Sequence, residues 1–98
     1  MQVISKRPSI ERCTESGWDA YDLITSLPID DELIDSLRMF EGSFLYMKSL
    51  KRPFFKLEAD LYVMKGVKGD PFFRVALHRD QEAYLDQMID QINAANKR

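Results

Sequence analysis

The sequence predicts a single α+β domain over residues 1–98: an antiparallel meander of three strands, with two helices before it and a C-terminal helix after it, packed in two layers. Three observations predict it. Residues 54–64, FFKLEADLYVM, alternate apolar and polar positions at the side-chain period of a strand. The connections flanking that stretch are short and contain Gly, Pro and Asp, which joins successive strands antiparallel. Outside the strands, apolar residues recur at i, i+3, i+4 and i+7, the spacing of an amphipathic helix. Residues 1–6, with Val3 and Ile4, would add a fourth strand at an edge; Pro8 has no N–H with which to continue it.

Residues 7–15 read as an irregular connection. Ser16 is a helix-cap candidate, with Asp19 at the capping-box position. Ala20, Leu23, Ile24 and Leu27 then form one stripe, so a first helix is expected from Ser16 to about Leu27, ended by Pro28. A second helix starts at once. Asp30 caps it, Asp31 and Glu32 suit the positive end of its dipole, and Ile29 and Ile34 sit at the staple positions. Leu33, Leu37 and Phe40 form its inner stripe, and Gly42 is placed to end it in the left-handed region.

Strands are expected over 44–50, 54–64 and 72–78. Lys51-Arg52-Pro53 joins the first two and Gly66-Val67-Lys68-Gly69-Asp70-Pro71 joins the last two, its glycines supplying positive φ. Asp80 is expected to cap the last helix, whose stripe is Tyr84, Leu85, Met88, Ile89 and Ile92, with Lys97 and Arg98 at its negative end. The inner sheet face would hold Leu45, Met47, Phe55, Leu57, Ala59, Leu61, Val63, Phe73, Val75 and Leu77. On that assignment Leu61→Asp should unfold the domain.

At 98 residues the chain can build one core but not two. Its apolar fraction of 45% and charged fraction of 31% are those of ordinary globular proteins. Apolar runs are too short for a membrane span, and the first residues lack the apolar region of a secretory signal, so a small soluble cytoplasmic protein is expected. Cys13 alone cannot close an internal disulfide, and no zinc-ligand spacing occurs. Charge is unevenly laid out. Residues 16–42 carry seven acids against Arg38, whereas residues 43–79 carry eight bases against Glu58, Asp60 and Asp70. Acidic helices held against a basic sheet would explain this; partner surfaces are the second explanation.

The other sheet face would display Phe44, Tyr46, Tyr62, Met64 and Phe72 among Lys48, Lys56, Arg74 and His78. Clustered apolar groups of that kind mark a contact surface. Three occupants compete, in this order: the N-terminal segment with Val3, Ile4 and Ile10; a second copy, in a face-to-face homodimer; and single-stranded nucleic acid stacked on the aromatics. Glu58 and Asp60 count against the third. The segment Lys48-Ser49-Leu50-Lys51-Arg52-Pro53, with Lys56 alongside, either keeps a sheet edge soluble or holds an acidic partner or phosphates.

Lys65-Gly66-Val67-Lys68-Gly69-Asp70 lacks the phosphate-loop spacing and precedes a strand rather than a helix. The acidic stretch containing Asp30, Asp31 and Asp35 reads as a solvated face, or else as a decoy for a basic partner; it has no calcium-loop pattern. His78 is the only histidine, and Cys13 lies far from it in sequence, so no catalytic set is recognised. Trp18 is expected to anchor the first helix on the sheet. The candidate interaction surface is therefore Phe44, Tyr46, Lys48, Lys51, Arg52, Lys56, Tyr62, Met64, Phe72 and Arg74, with no catalytic, cofactor or metal residue assigned. The expected function is a non-enzymatic module that binds another protein or its own copy. The alternatives are a nucleic-acid-binding accessory protein and an acidic decoy of a basic partner.

Overall fold

The computed structural model describes residues 1–9 and 17–96. The chain runs β1 (Val3–Pro8), β2 (Trp18–Thr25), α1 (Asp31–Ser36) continued by a 3-10 turn (Leu37–Met39), β3 (Ser43–Met47), β4 (Phe54–Glu58), β5 (Tyr62–Val67), β6 (Phe72–His78), a 3-10 turn (Arg79–Gln81) and α2 (Glu82–Ala95). All six strands form one sheet in the spatial order β1-β2-β6-β5-β4-β3, antiparallel throughout. The chain is α+β, but the sheet has twice the strands expected of the meander, and among the described residues α1 is the one α-helix that precedes β3.

The largest correction is at residues 16–27. Within it, Trp18–Thr25 is strand β2, not a helix. Its apolar residues fit a helical stripe, but Trp18, Tyr21, Ile24 and Thr25 are strand formers, and such a short segment fits both periods. Tertiary context decides: β2 lies between β1 and β6, with Leu23 wholly buried, while Leu27 of the supposed stripe is exposed. Gly17, at φ +83, turns the chain just before the strand. Ser16, Ile10, Cys13, Lys97 and Arg98 lie outside the described residues.

The second correction is the break in the supposed central strand. Residues 54–64 fold back as a hairpin, closed by a bond from Ala59 N–H to the Tyr62 carbonyl at 2.9 Å. Leu57 pairs with Met64 and Phe55 with Gly66. Paired residues share a face, so the inner face passes from odd positions in β4 to even positions in β5. The same arithmetic places Phe44 and Tyr46 inside in β3, opposite Leu57 and Phe55. Leu45, Met47 and Val63 therefore face outward, and Leu61 sits half-exposed at the turn. In β6 the expected residues, Phe73, Val75 and Leu77, are buried as read.

Both helices lie on this inner face. Asp30 caps α1, its carboxylate accepting from Leu33 N–H at 2.9 Å. Ile29, Leu33, Ile34, Leu37 and Phe40 join Leu85, Met88 and Ile92 of α2 and the inner sheet residues in one core. Gly42 does not end a helix. It has φ +137, and a Cβ there would lie 2.7 Å from the Glu58 carbonyl oxygen, so glycine lets the chain enter β3 beside β4. Nor does Asp80 cap the last helix: the His78 side chain caps the 3-10 turn by accepting from Asp80 N–H. Asn93 ties α2 to β1, accepting from Val3 N–H at 2.7 Å and donating to the Val3 carbonyl at 3.1 Å. Among the described residues no helix is long and apolar enough to cross a membrane.

Candidate functional site

Because both helices share one face, the opposite face of the sheet is left without a described helix over it. Strand pairing sets its residues in rows. One row runs Arg7, Asp22, Arg74, Lys65, Lys56 and Leu45, each opposite the next on neighbouring strands. On one side of it lies a row of Ala20, Ala76, Val63, Glu58 and Ser43. On the other side lie Ile24 opposite Phe72, and Val67 opposite Phe54 opposite Met47.

Two open depressions lie in this face. One, of about 560 Å³, has Phe54, Val67 and Phe72 with Arg7, Lys65 and Arg74 around it. The other, of about 940 Å³, is more polar and is lined by Trp18, Lys56, Glu58, Asp60, Lys65 and Arg74 among others. Asp22 is buried between Arg7 and Arg74 in the row. Lys56 pairs with Glu58 at 3.3 Å along its own strand. The row thus carries four cations and one carboxylate, with Glu58 at its margin.

The residues expected to form the interaction surface divide between the two faces. Phe44, Tyr46, Tyr62 and Met64 lie on the helix side. Met64 is wholly buried, and the Phe44 ring lies under the Arg38 guanidinium at 4.3 Å. The Tyr62 hydroxyl donates to the Glu41 carbonyl at 2.6 Å, and the Tyr46 hydroxyl donates to Asp31. Lys48, Lys51 and Arg52 lie in the exposed β3–β4 connection, where Arg52 pairs with Asp70 at 3.3 Å. Lys56, Phe72 and Arg74 do lie on the open face. Arg7, Asp22, Phe54, Lys65, Val67 and Trp18 join them there, unassigned from sequence. For Lys65 and Val67 the signal was the pairing arithmetic of the hairpin, which cannot be applied until the turn at Asp60 and Leu61 is located. Arg7, Asp22 and Trp18 follow from β2 being a strand, and Phe54 shares the face of Lys56 on β4.

The expected cover by the N-terminal segment is not what Val3 and Ile4 provide: Val3 packs into the helix-side core and Ile4 is exposed. On the helix side, partial burial and the Asp31 carboxylate push the Tyr46 phenol up to about 12. The hydrogen bond to Glu82, with burial, does the same for Tyr21, also to about 12. Asp31, accepting from Tyr46 and Lys68, is held below the usual carboxylate range.

His78 is engaged structurally. Its Nδ1 accepts from Asp80 N–H at 3.1 Å, and its ring meets the Trp18 ring edge-on at 6.3 Å. The Asp80 carboxylate, 3.5 Å from the same nitrogen, would form an ion pair only with a proton on Nδ1. The backbone N–H already directed at that nitrogen favours the tautomer protonated at Nε2. Trp18 accordingly stands on β2 against His78 rather than anchoring a helix. Among the described residues no group of three or more His, Cys, Asp or Glu is arranged to hold a metal ion.

Comparison of the chain with family models, curated proteins and solved structures gives no match, so the geometry alone carries the functional reading.

Proposed function

We propose that the chain is a non-enzymatic binding module that takes an acidic, partly apolar segment of a protein partner on its open sheet face. One observation carries this reading: the cross-strand row of Arg7, Arg74, Lys65 and Lys56, interrupted by Asp22, runs beside the apolar residues Ile24, Phe72, Val67, Phe54 and Met47. Cations in a line set the register of a chain of carboxylates, and the apolar strip beside them supplies burial. The helix layer is of opposite sign. Asp30, Asp31, Glu32 and Asp35 lie at α1, and Glu82, Asp86 and Asp90 on α2. An acidic partner is therefore drawn to one side and repelled by the other. The structural engagement of His78 further supports binding over catalysis.

Phe54 and Phe72 beside the cations would also suit stacked bases, which keeps a nucleic-acid platform as the second reading. Glu58 and Asp60, lining the larger depression, oppose a phosphate backbone.

The test is titration of the full chain with two labelled probes of equal length, a peptide alternating Glu and Phe and an oligodeoxythymidine. The peptide should bind at low salt, weaken as salt rises, and lose about tenfold or more in affinity with Lys56→Glu combined with Lys65→Glu. The melting temperature of that double variant should stay near wild type, because both side chains lie on the surface side of the sheet. Failure of the wild-type protein to bind either probe at low salt would sink the reading. Tighter binding of the oligonucleotide, weakened by Phe54→Ala and Phe72→Ala, would replace it with the nucleic-acid reading.

A further inference from the structure

The two edges of the sheet are built differently. At one edge, β1 carries Lys6, Arg7 and Pro8 and a register irregularity between Val3 and Ser5. Charge, proline and bulge are the devices that stop an exposed strand from pairing with another chain. At the other edge, β3 reads SFLYM. It has no charge, no proline and an unbroken register against β4. The sheet order ends at β3, so no described strand pairs with its outer side. Leu45, at its centre, is 48% exposed.

From this contrast we infer that β3 pairs antiparallel with the β3 of a second copy, joining two sheets edge to edge about a two-fold axis at Leu45. The strand is complementary to itself in that register. Leu45 meets Leu45 of the second copy on the open face. Phe44 meets the second copy's Tyr46, and Tyr46 its Phe44, on the helix side. Aromatic cross-strand pairs of this kind favour pairing, and the outward N–H and C=O groups of β3 gain partners.

The charges nearest the edge do not oppose it strongly. Arg38 lies over Phe44 and is 3.7 Å from Asp35. Lys48 lies over Tyr46, and its charge acts favourably on Asp31. The inference goes beyond the open-face reading, since it uses a different edge of the molecule and a different occupant.

Light scattering on the full chain, over a concentration series reaching about 1 mM, tests it. The wild-type mass should double within that range. Leu45→Lys and Leu45→Glu each place like charges across the two-fold axis and should stay monomeric. An equimolar mixture of the two should recover the doubled mass as a heterodimer. Thermal melts of both variants verify that they fold. Should either fail to fold, hydrogen exchange on wild type decides, since the β3 amides should gain protection as concentration rises. A wild-type monomer throughout, folded single variants that still dimerise, a mixture that stays monomeric, or β3 exchange independent of concentration would each overturn the inference.

Discussion

Two glycines in one stretch are required for opposite reasons. Gly66 sits in β5 opposite Phe55 and Phe73, whose rings meet edge-on with centroids 6.0 Å apart. A Cβ on Gly66 would lie 2.7 Å from Phe73 Cβ and 2.9 Å from the Phe55 ring. Its φ is not positive, so the need is space rather than the turn conformation expected of it from sequence. Gly69 has φ +94 and nothing within 4 Å of a Cβ, so its need is backbone freedom. Gly66→Ala should cost about 1–3 kcal/mol as overpacking. At Gly69, Asn should be tolerated better than Ala, because Asn visits the left-handed region more readily; at Gly66 it should be worse. Urea melts of the four variants check this, and a Gly66→Ala protein as stable as wild type would refute the steric account. The helix-side tyrosines add a pH limit. The phenols of Tyr21 and Tyr46 rise from the ordinary 10.0 to about 12 in the fold. Their bonds to Glu82 and Asp31 therefore contribute fully below pH 10 and are lost as pH climbs toward 12. Tyrosinate absorbance should show late-titrating phenols, and Tyr21→Phe combined with Tyr46→Phe should flatten the fall in melting temperature over that window. Asp31, depressed instead, sets the opposite limit: its contribution is present above the ordinary carboxylate pKa and is lost as acid protonates it.

At the scale of elements, the hairpin turn at Asp60 and Leu61 decides which substitutions the sheet accepts. Leu61 is 43% exposed, and its carbonyl accepts from His78 N–H at 2.9 Å through the backbone alone. Leu61→Asp should thus leave a cooperatively melting protein, contrary to the expectation from an unbroken strand. Met64→Asp buries a carboxylate in the core and should prevent folding, or cost at least about 3 kcal/mol. Circular dichroism melts separate the two, and a Leu61→Asp variant that fails to fold would refute the hairpin phase. The same turn explains what the sequence made legible. The stretch from Phe72 to His78 could be read because it alternates between clear breaks. The C-terminal helix was legible because Leu85, Met88 and Ile92 repeat over several turns. The N-cap of α1 was legible because Asp30 and Ile29 act locally, whereas the helix end expected at Gly42 was not where the helix stops. What failed was non-local. Residues 18–25 satisfy both periods, and only burial between β1 and β6 selects the strand. The candidate site failed for a related reason: one unrecognised two-residue turn reverses the face of β5, which carried Tyr62 and Met64 under the helices and Lys65 out, before the β5–β6 connection restores the phase in β6.

The whole molecule joins local and distant pairings in one sheet. The strands β3 to β6 form a meander of successive neighbours, whereas β2 reaches β6 across the intervening chain, Tyr21 pairing with Val75 and Leu23 with Phe73. Closing that long loop costs chain entropy before the β2–β6 contacts repay it, so the seam should form late. Leu23 and Leu57 offer a matched comparison, since both are leucines with no exposed surface in the same core. Each substitution to Ala should cost about 2–5 kcal/mol at equilibrium. Their kinetics should differ. Leu57 belongs to the local β4–β5 hairpin, so Leu57→Ala should slow refolding. Leu23 belongs to the late seam, so Leu23→Ala should mainly speed unfolding and leave the refolding rate nearly unchanged. Stopped-flow chevrons on the two variants measure both limbs. If Leu23→Ala slows refolding as much as Leu57→Ala does, the seam is already present in the transition state. The order of assembly would then run from the distant pairing inward, against the entropy argument.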